Sequence, residues 1–265
     1  MNNNPIGIFD SGVGGLTVLN ALSKVAPTES ILYLGDTARV PYGNKSKEKI
    51  QEFSHEITKW LVSQGCKLII VACNTASSLA LKKLQDMFSI PIIGVIEPGV
   101  KAAINATKNN KIVVLGTHAT INSDIYKRTI KIENQTISVI SRACPLFVPL
   151  VEEGMVNGPI PKSIANLYLD DIKSTKSDTI ILGCTHYPLL KDIIKNTFQS
   201  EITLIDSGEV TAYYVSQLLE SKQLITDNKK VEINCFVTDS VSTFKNIASK
   251  FVNVKIDSFN KIDLK

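Results

Sequence analysis

Short apolar runs alternate along this chain with longer stretches in which apolar positions recur every three or four residues. The runs at Pro5–Phe9, Ser30–Leu34, Leu68–Ala72 and Ile92–Val95 read as strands buried on both faces, and Gly15–Val25 and Lys47–Gln64 between them read as amphipathic helices. That alternation predicts a parallel sheet with helices on both faces. At Ile96-Glu97-Pro98-Gly99 the Pro-Gly pair punctuates the chain, and a new helix is expected over Val100–Lys108. The pattern then restarts with strand Lys111–Leu115, an irregular stretch, helix Pro161–Lys173, strand Asp178–Leu182, helix Pro188–Phe198 and strand Ile202–Ile205. Past Asp206-Ser207-Gly208, a helix at Val210–Ser221 and a strand at Val231–Val237 precede a lysine-containing tail, which is expected to return to the first unit. The expected fold class is α/β, with two lobes, each a mostly parallel sheet flanked by helices. Residues 1–96 plus 208–265 are expected to form the first lobe and residues 97–207 the second.

The two halves correspond in order as well as in kind. Each opens on a strand ending in small polar residues, Phe9-Asp10-Ser11-Gly12 and Leu115-Gly116-Thr117. Each later carries a strand that runs into a cysteine: Lys67–Thr75 reads KLIIVACNT and Thr179–His186 reads TIILGCTH. This predicts an internal pseudo-repeat, with a site in the cleft between the lobes. Ligands of open α/β sheets bind beyond the carboxyl ends of the strands, where Asp10, Ser11, Asp36, Cys73, Thr117 and Cys184 all fall. A thiol just before a helix start feels the positive end of the helix dipole, so its pKa is expected to drop from about 8.5 towards neutrality and the thiolate to serve as a base. Asn74 and Thr75 after one thiol, and Thr185 and His186 after the other, have the donors to hold a carboxylate and an ammonium group. His186, two residues beyond Cys184, is placed to assist proton movement there. Cys66, Cys144 and Cys235 lack such polar followers and are expected to be inert packing.

Composition restricts the partners more than it identifies the chemistry. The chain has 265 residues, 44% hydrophobic and 20% charged, which suits a globular protein with a sizeable core. No apolar run approaches the roughly 18 to 20 residues of a membrane helix, and MNNNPIGIFD lacks the regions of a signal peptide. Cytoplasmic residence without a membrane partner is the expectation. Five cysteines without a CxxC pair or metal-ligand spacing fit reduced thiols, not a disulfide framework or a metal site. The net charge of +4 arises from lysines scattered among acids, so no nucleic-acid partner is expected. Ile6–Leu22, IGIFDSGVGGLTVLNAL, has the strand–glycine loop–helix form of a phosphate cradle, with Asp36 ending the next strand. Against a dinucleotide, Asp10 would repel a pyrophosphate and Thr17 stands where a third glycine belongs. The glycines are expected to permit positive φ and close helix–strand approach instead. On residues alone, a two-thiol acid/base enzyme, a thiol hydrolase or transferase using Cys184 with His186, and a non-catalytic amino-acid or nucleotide binder all stay open.

Six blocks in order carry a resemblance: FDSGVGGLTVL at 9–19, GDTARVPYG at 35–43, VACNTAS at 71–77, GVIEPG at 94–99, CPLFVPLVEEG at 144–154 and LGCTHYPLL at 182–190. Nearly end to end, the chain resembles the glutamate racemases of the cofactor-independent aspartate/glutamate racemase family. The resemblance implies that Cys73 and Cys184 are acid/bases on opposite faces of a substrate α-carbon, Cys73 deprotonating the D-isomer and Cys184 the L-isomer. It implies helper roles for Asp10 near the first thiol, for Asp36 nearby and for the Glu152–His186 pair beside the second. It makes Asp10, Ser11, Pro41, Tyr42, Gly43, Cys73, Asn74, Thr75, Thr117, Cys184, Thr185 and His186 substrate-binding positions, and gives His118 no role. Glutamate is the implied small-molecule substrate, with aspartate or another amino acid the nearest alternative. Neither pyridoxal phosphate nor a metal is implied; a homodimer and a supply of D-glutamate for the peptidoglycan stem peptide are.

Overall fold

Residues 2–198, 201–226 and 230–264 are described by a computed structural model; the remaining positions, including both ends of the expected first lobe, lie outside the described residues. The ten strands found among the described residues are β1 (Ile6–Asp10), β2 (Ile31–Gly35), β3 (Leu68–Val71), β4 (Ile92–Gly94), β5 (Lys111–Gly116), β6 (Ser138–Ala143), β7 (Thr179–Gly183), β8 (Thr203–Asp206), β9 (Ile233–Val237) and β10 (Ser258–Lys261). They form a six-stranded sheet in the order β10-β9-β2-β1-β3-β4 and a four-stranded sheet in the order β6-β5-β7-β8, with every pairing parallel. The first four strands and the next four are therefore permuted identically, second-first-third-fourth. That is the expected pseudo-repeat. The tail joins the first sheet, as expected, because β9 and β10 extend it beyond β2.

The apolar runs are continuous because both faces of each sheet are covered. Ile6 and Ile8 of β1, Leu68 and Ile70 of β3, Val113 and Leu115 of β5, and Ile180 and Leu182 of β7 enter one core that both lobes share. The alternating neighbours Phe9, Ile69 and Val71 turn to a core on the far face of the first sheet, and Ile112, Val114 and Ile181 to one on the far face of the second. Helices Leu16–Val25 and Ser207–Ser221 pack within the shared core through Leu16, Leu19, Leu22, Ala212 and Val215. The lobes are thus welded on one side and free to frame a cleft on the other. Among the described residues, no helix is long and apolar enough to cross a membrane.

Three sequence expectations are corrected. The helix after β4 begins at Ile96, so Pro98 and Gly99 lie inside Ile96–Ala106 and do not precede it. Pro98 occupies the first turn, where a backbone N–H has no intrahelical partner to lose. The stretch between β5 and helix Pro159–Lys173, expected to be irregular, holds helices His118–Asn122, Ile125–Glu133 and Phe147–Glu152 as well as β6. The glycines of the FDSGVGG turn do not take positive φ. They are there for close approach: a Cβ on Gly14 would lie 2.2 Å from Thr185 Oγ1, and one on Gly15 would lie 2.5 Å from Asp10 Cβ.

Candidate active site

The third strand of each half leads into its cysteine, and both cysteines open on one cavity. Cys73 follows β3 and Cys184 follows β7; each is nearly fully buried, at 6% and 7% exposure. The cavity between the lobes has a volume of about 380 Å³ and is lined by both thiols. Of the expected substrate-binding residues, Ser11, Pro41, Tyr42, Gly43, Asn74, Thr75, Thr117, Thr185 and His186 also line it. Glu152 does too. Asp10 and Asp36 do not.

Around Cys73 the groups are acidic and hydroxylic. The thiol donates to Ser11 Oγ at 3.8 Å, and its sulfur accepts the Ala76 N–H at 3.5 Å, so that Cys73 caps the short helix Asn74–Leu79. The expected lowering of its pKa does not occur: burial pushes the Cys73 thiol up to about 12, the negative charge of Asp10 adds to this, and the Ala76 N–H and Ser11 only partly oppose it. Asp10, at the end of β1, is wholly buried, and burial raises its carboxyl above the ordinary range against the pull of His186 and of the Gly12, Gly15 and Ser11 backbone. One carboxylate oxygen accepts the Gly12 N–H at 3.0 Å; the other has no hydrogen-bond partner.

Around Cys184 the helper is cationic. No α-helix starts directly at this thiol; a 3₁₀ turn at Tyr187–Leu190 intervenes before helix Lys191–Thr197, and the positive charge comes from a side chain instead. His186 Nδ1 lies 3.9 Å from Cys184 Sγ, and its Nε2 meets Glu152 Oε1 at 3.0 Å. Burial works against a charge on His186. Hydrogen bonds and charge interactions with Cys184 and Glu152 outweigh it, and the pKa rises from 6.5 to about 10.

Polar residues knit the lobes together behind the thiols. Thr75 Oγ1 lies 3.0 Å from Thr117 Oγ1 and 3.2 Å from Thr120 Oγ1, which pair with each other at 3.0 Å. Asn74 is fixed on both sides of its amide: Tyr126 O–H donates to its Oδ1 at 2.6 Å, and its Nδ2 donates to Ser207 Oγ at 3.4 Å. Ser207 in turn donates to the carbonyl of Leu182 at 3.1 Å, two residues before Cys184.

Asp36 faces the loop, not the cavity. Its carboxylate takes Arg39 Nε at 2.7 and 2.9 Å, Thr238 Oγ1 at 2.9 Å and the Tyr42 hydroxyl. It holds the segment that carries Tyr42 and Gly43 against Thr117 and has no free oxygen for a substrate. Sequence reasoning missed an apolar wall of Val40, Pro145, Val148 and Pro149, together with Gly12, Asn44 and His118 at the lining. The CPLFVPLVEEG block contains three of the four wall residues but bears no chemistry that singles them out. Cys66, Cys144 and Cys235 are buried free thiols whose pKa burial raises, consistent with packing roles. Among the described residues, no cluster of three or more His, Cys, Asp or Glu side chains could hold a metal.

Comparison with known proteins places this arrangement. A glutamate racemase of Geobacter metallireducens is 45% identical over 260 residues, 98% of this chain and 96% of that protein. The crystal structure of a glutamate racemase isoform from Bacillus anthracis superposes with a TM-score of 0.96 at 40% identity, covering 100% of this chain and 99% of the other. That of the Francisella tularensis glutamate racemase in complex with D-glutamate gives 0.95 at 38% identity, covering 100% and 99%. The sequence pattern of the Asp/Glu/Hydantoin racemase family matches residues 15–215. The chain belongs to the Asp/Glu/Hydantoin racemase family.

Proposed function

We propose that the protein interconverts L-glutamate and D-glutamate by passing a proton at the α-carbon between two cysteines, without covalent attachment or an organic cofactor. One observation carries the reading: equivalent strands of two identically wound halves deliver a thiol each to a single inter-lobe cavity. Inversion needs two bases, because a lone base tends to return its proton to the face it left. From the L-isomer, Cys184 as thiolate takes the α-proton, the electron pair is left on the α-carbon and its carboxylate, and the Cys73 thiol gives its proton to the opposite face. Cys184 ends as thiol and Cys73 as thiolate; the D-isomer runs the same steps backwards.

The helper groups favour that starting state. His186, whose pKa Cys184 and Glu152 together raise against burial, gives the sulfur of Cys184 a positive neighbour, whereas burial and Asp10 push the Cys73 thiol up and favour its protonated form. Asp10 is the acidic helper on the Cys73 side. Ser11, Asn74, Thr75, Thr117 and Thr185 supply hydroxyl and amide groups for the substrate's ammonium and carboxylates, while Pro41, Tyr42 and Gly43 wall the cavity. Asp36 is a positioning residue that sets Tyr42. Fixed donors in a water-excluding cleft ease the negative charge that builds next to a carboxylate. The lobes that part to admit substrate are residues 1–96 plus 208–265 and 97–207, and the enzyme works as a cytoplasmic homodimer supplying D-glutamate for peptidoglycan.

Incubation with L-glutamate in deuterated water, with no added cofactor, tests this. The circular dichroism signal should decay to zero while the α-proton is replaced by deuterium. A signal that stays constant, or one that decays without deuterium uptake, would overturn the reading, and faster loss with L-aspartate would reassign the substrate.

A further inference from the structure

Helix Phe147–Glu152 ends on the residue that pairs with His186, and a segment far along the chain is fastened to that end. Lys250 Nζ donates to the main-chain carbonyl of Glu152 at 2.9 Å. A cation there satisfies a carbonyl left without an intrahelical partner and faces the negative end of the helix dipole. Gly154 makes room for it, because a Cβ at that position would lie 3.1 Å from the ammonium nitrogen. The next residue, Phe251, is 5% exposed and sets its ring against the His186 imidazole, edge to face, with centroids 5.5 Å apart and planes at 84°. Phe251 and Lys250 also line a second cavity of about 330 Å³, on which His186 does not open. The Phe251 ring therefore stands in the partition between that cavity and the catalytic one. Asn253 anchors the segment to helix Leu16–Val25, its N–H donating to Asn20 Oδ1 at 3.0 Å. The segment that carries Lys250, Phe251 and Asn253 lies beyond the residues matched by the family pattern, which end at 215.

We propose that Lys250 and Phe251 are positioning residues for the Glu152–His186 pair, fixing the carboxylate through its helix end and the imidazole through its ring face, and so act chiefly on proton transfer at the Cys184 side. The inference rests on the two-cysteine reading. Two neighbouring residues of one segment touch both members of the pair, and neither touches the Cys73 side. Loss of the Phe251 ring opens the partition to water and lets the imidazole tilt; loss of the Lys250 ammonium loosens the carboxylate by a smaller amount.

The test uses the full chain carrying Phe251→Leu or Lys250→Met, assayed with unlabelled and α-deuterated glutamate of each hand. A tilt of the imidazole in the first variant should lower kcat about tenfold, and the milder second variant should lower it about threefold. Enantiomers are equally stable, so kcat/KM must fall equally in both directions; the isotope effects tell the sides apart. With the Cys184 transfer slowed, the deuterium effect on kcat/KM should grow for L-[2-²H]glutamate and shrink towards unity for the D-isomer. Isotope effects that stay at wild-type values, or move together for the two isomers, would overturn the proposal however much kcat falls. Lys250 is exposed, so the second variant keeps the test open should Phe251→Leu fold poorly. Failure of the underlying reading would look different, since wild-type protein would then exchange no α-proton with solvent.

Discussion

Replacing Gly14 by alanine puts a methyl group where the two lobes touch beside the Glu152–His186 pair. Its Cβ would lie 2.2 Å from Thr185 Oγ1 and 2.5 Å from both Cε1 and Nδ1 of His186. An ordinary carbon–oxygen contact is about 3.3 Å, so roughly 1 Å must be recovered. Neither neighbour is a flexible side-chain tip: Thr185 and His186 are buried, and the imidazole is held by Glu152 on one side and Phe251 on another. Overpacking of this kind costs about 1 to 3 kcal/mol, or a drop of roughly 2 to 10 °C in thermal midpoint for a protein of this size. The catalytic loss should be larger than the stability loss suggests, because an imidazole displaced by about 1 Å from its thiol forfeits on the order of a hundredfold in kcat. Circular dichroism gives both the melting curve and the rate of loss of optical activity from L-glutamate. Gly99→Ala is the control: its Cβ meets nothing closer than 3.5 Å, it lies in a helix, and it should keep kcat while holding or slightly raising the midpoint. A Gly14→Ala protein with wild-type kcat and midpoint would show that the lobes are not locked together at this contact and that His186 is not fixed from that side.

Cys73→Ala and Cys184→Ala should each abolish racemisation in both directions, leaving α-proton exchange only on the isomer that the surviving thiol faces; normal racemisation by either, followed polarimetrically, would end the two-base mechanism. His186 titrates at about 10 in the folded protein against 6.5 when unfolded, so its stabilising contribution is complete below about pH 6.5 and is lost as pH rises through about 10. Urea midpoints should fall across that window, and Glu152→Gln should flatten the fall; an equally steep profile in the variant would refute the pairing. Tyr126→Phe removes the 2.6 Å hydrogen bond to Asn74 Oδ1 and leaves a buried acceptor unsatisfied. At about 1 kcal/mol, this should raise KM roughly fivefold with less effect on kcat. An unchanged KM would mean that Asn74 is held well enough by Ser207 alone.

What the sequence disclosed follows from how much physics each element carries locally. The central strands β1, β3, β5 and β7 are apolar on both faces, and each ends on or within two residues of a polar or cysteine residue, so both the strand and the end that meets the cavity are legible. The edge strand β6 is not: Ser138–Ala143 is only partly buried and mixes Ser and Arg with its apolar residues, which breaks both the continuous and the alternating pattern. Helices Asn74–Leu79, His118–Asn122 and Phe147–Glu152 run for five or six residues, too short for a periodicity to repeat. Their caps and tertiary contacts form them. Position along the strand is enough to bring the two thiols and His186 to one cavity, but the dipole argument fails for the Cys73 pKa, because it reads neighbours in sequence whereas burial and Asp10 act through space. Asp36 is similarly visible as an acid at a strand end, while its capture depends on how the loop folds back to bring Arg39 and Tyr42 to it and on Thr238, 202 residues away.

The order in which strands join the sheets also bears on how the chain matures as it leaves the ribosome. Strands β5 to β8 follow one another within residues 111–206 and need nothing later to complete their sheet. The other sheet cannot close until Ile233–Val237 and Ser258–Lys261 emerge to cover the β2 edge, so its nascent form carries an unsatisfied strand margin through most of translation. The half synthesised first is the half finished last, and during that interval the growing polypeptide is most exposed to misassociation and most in need of chaperone cover.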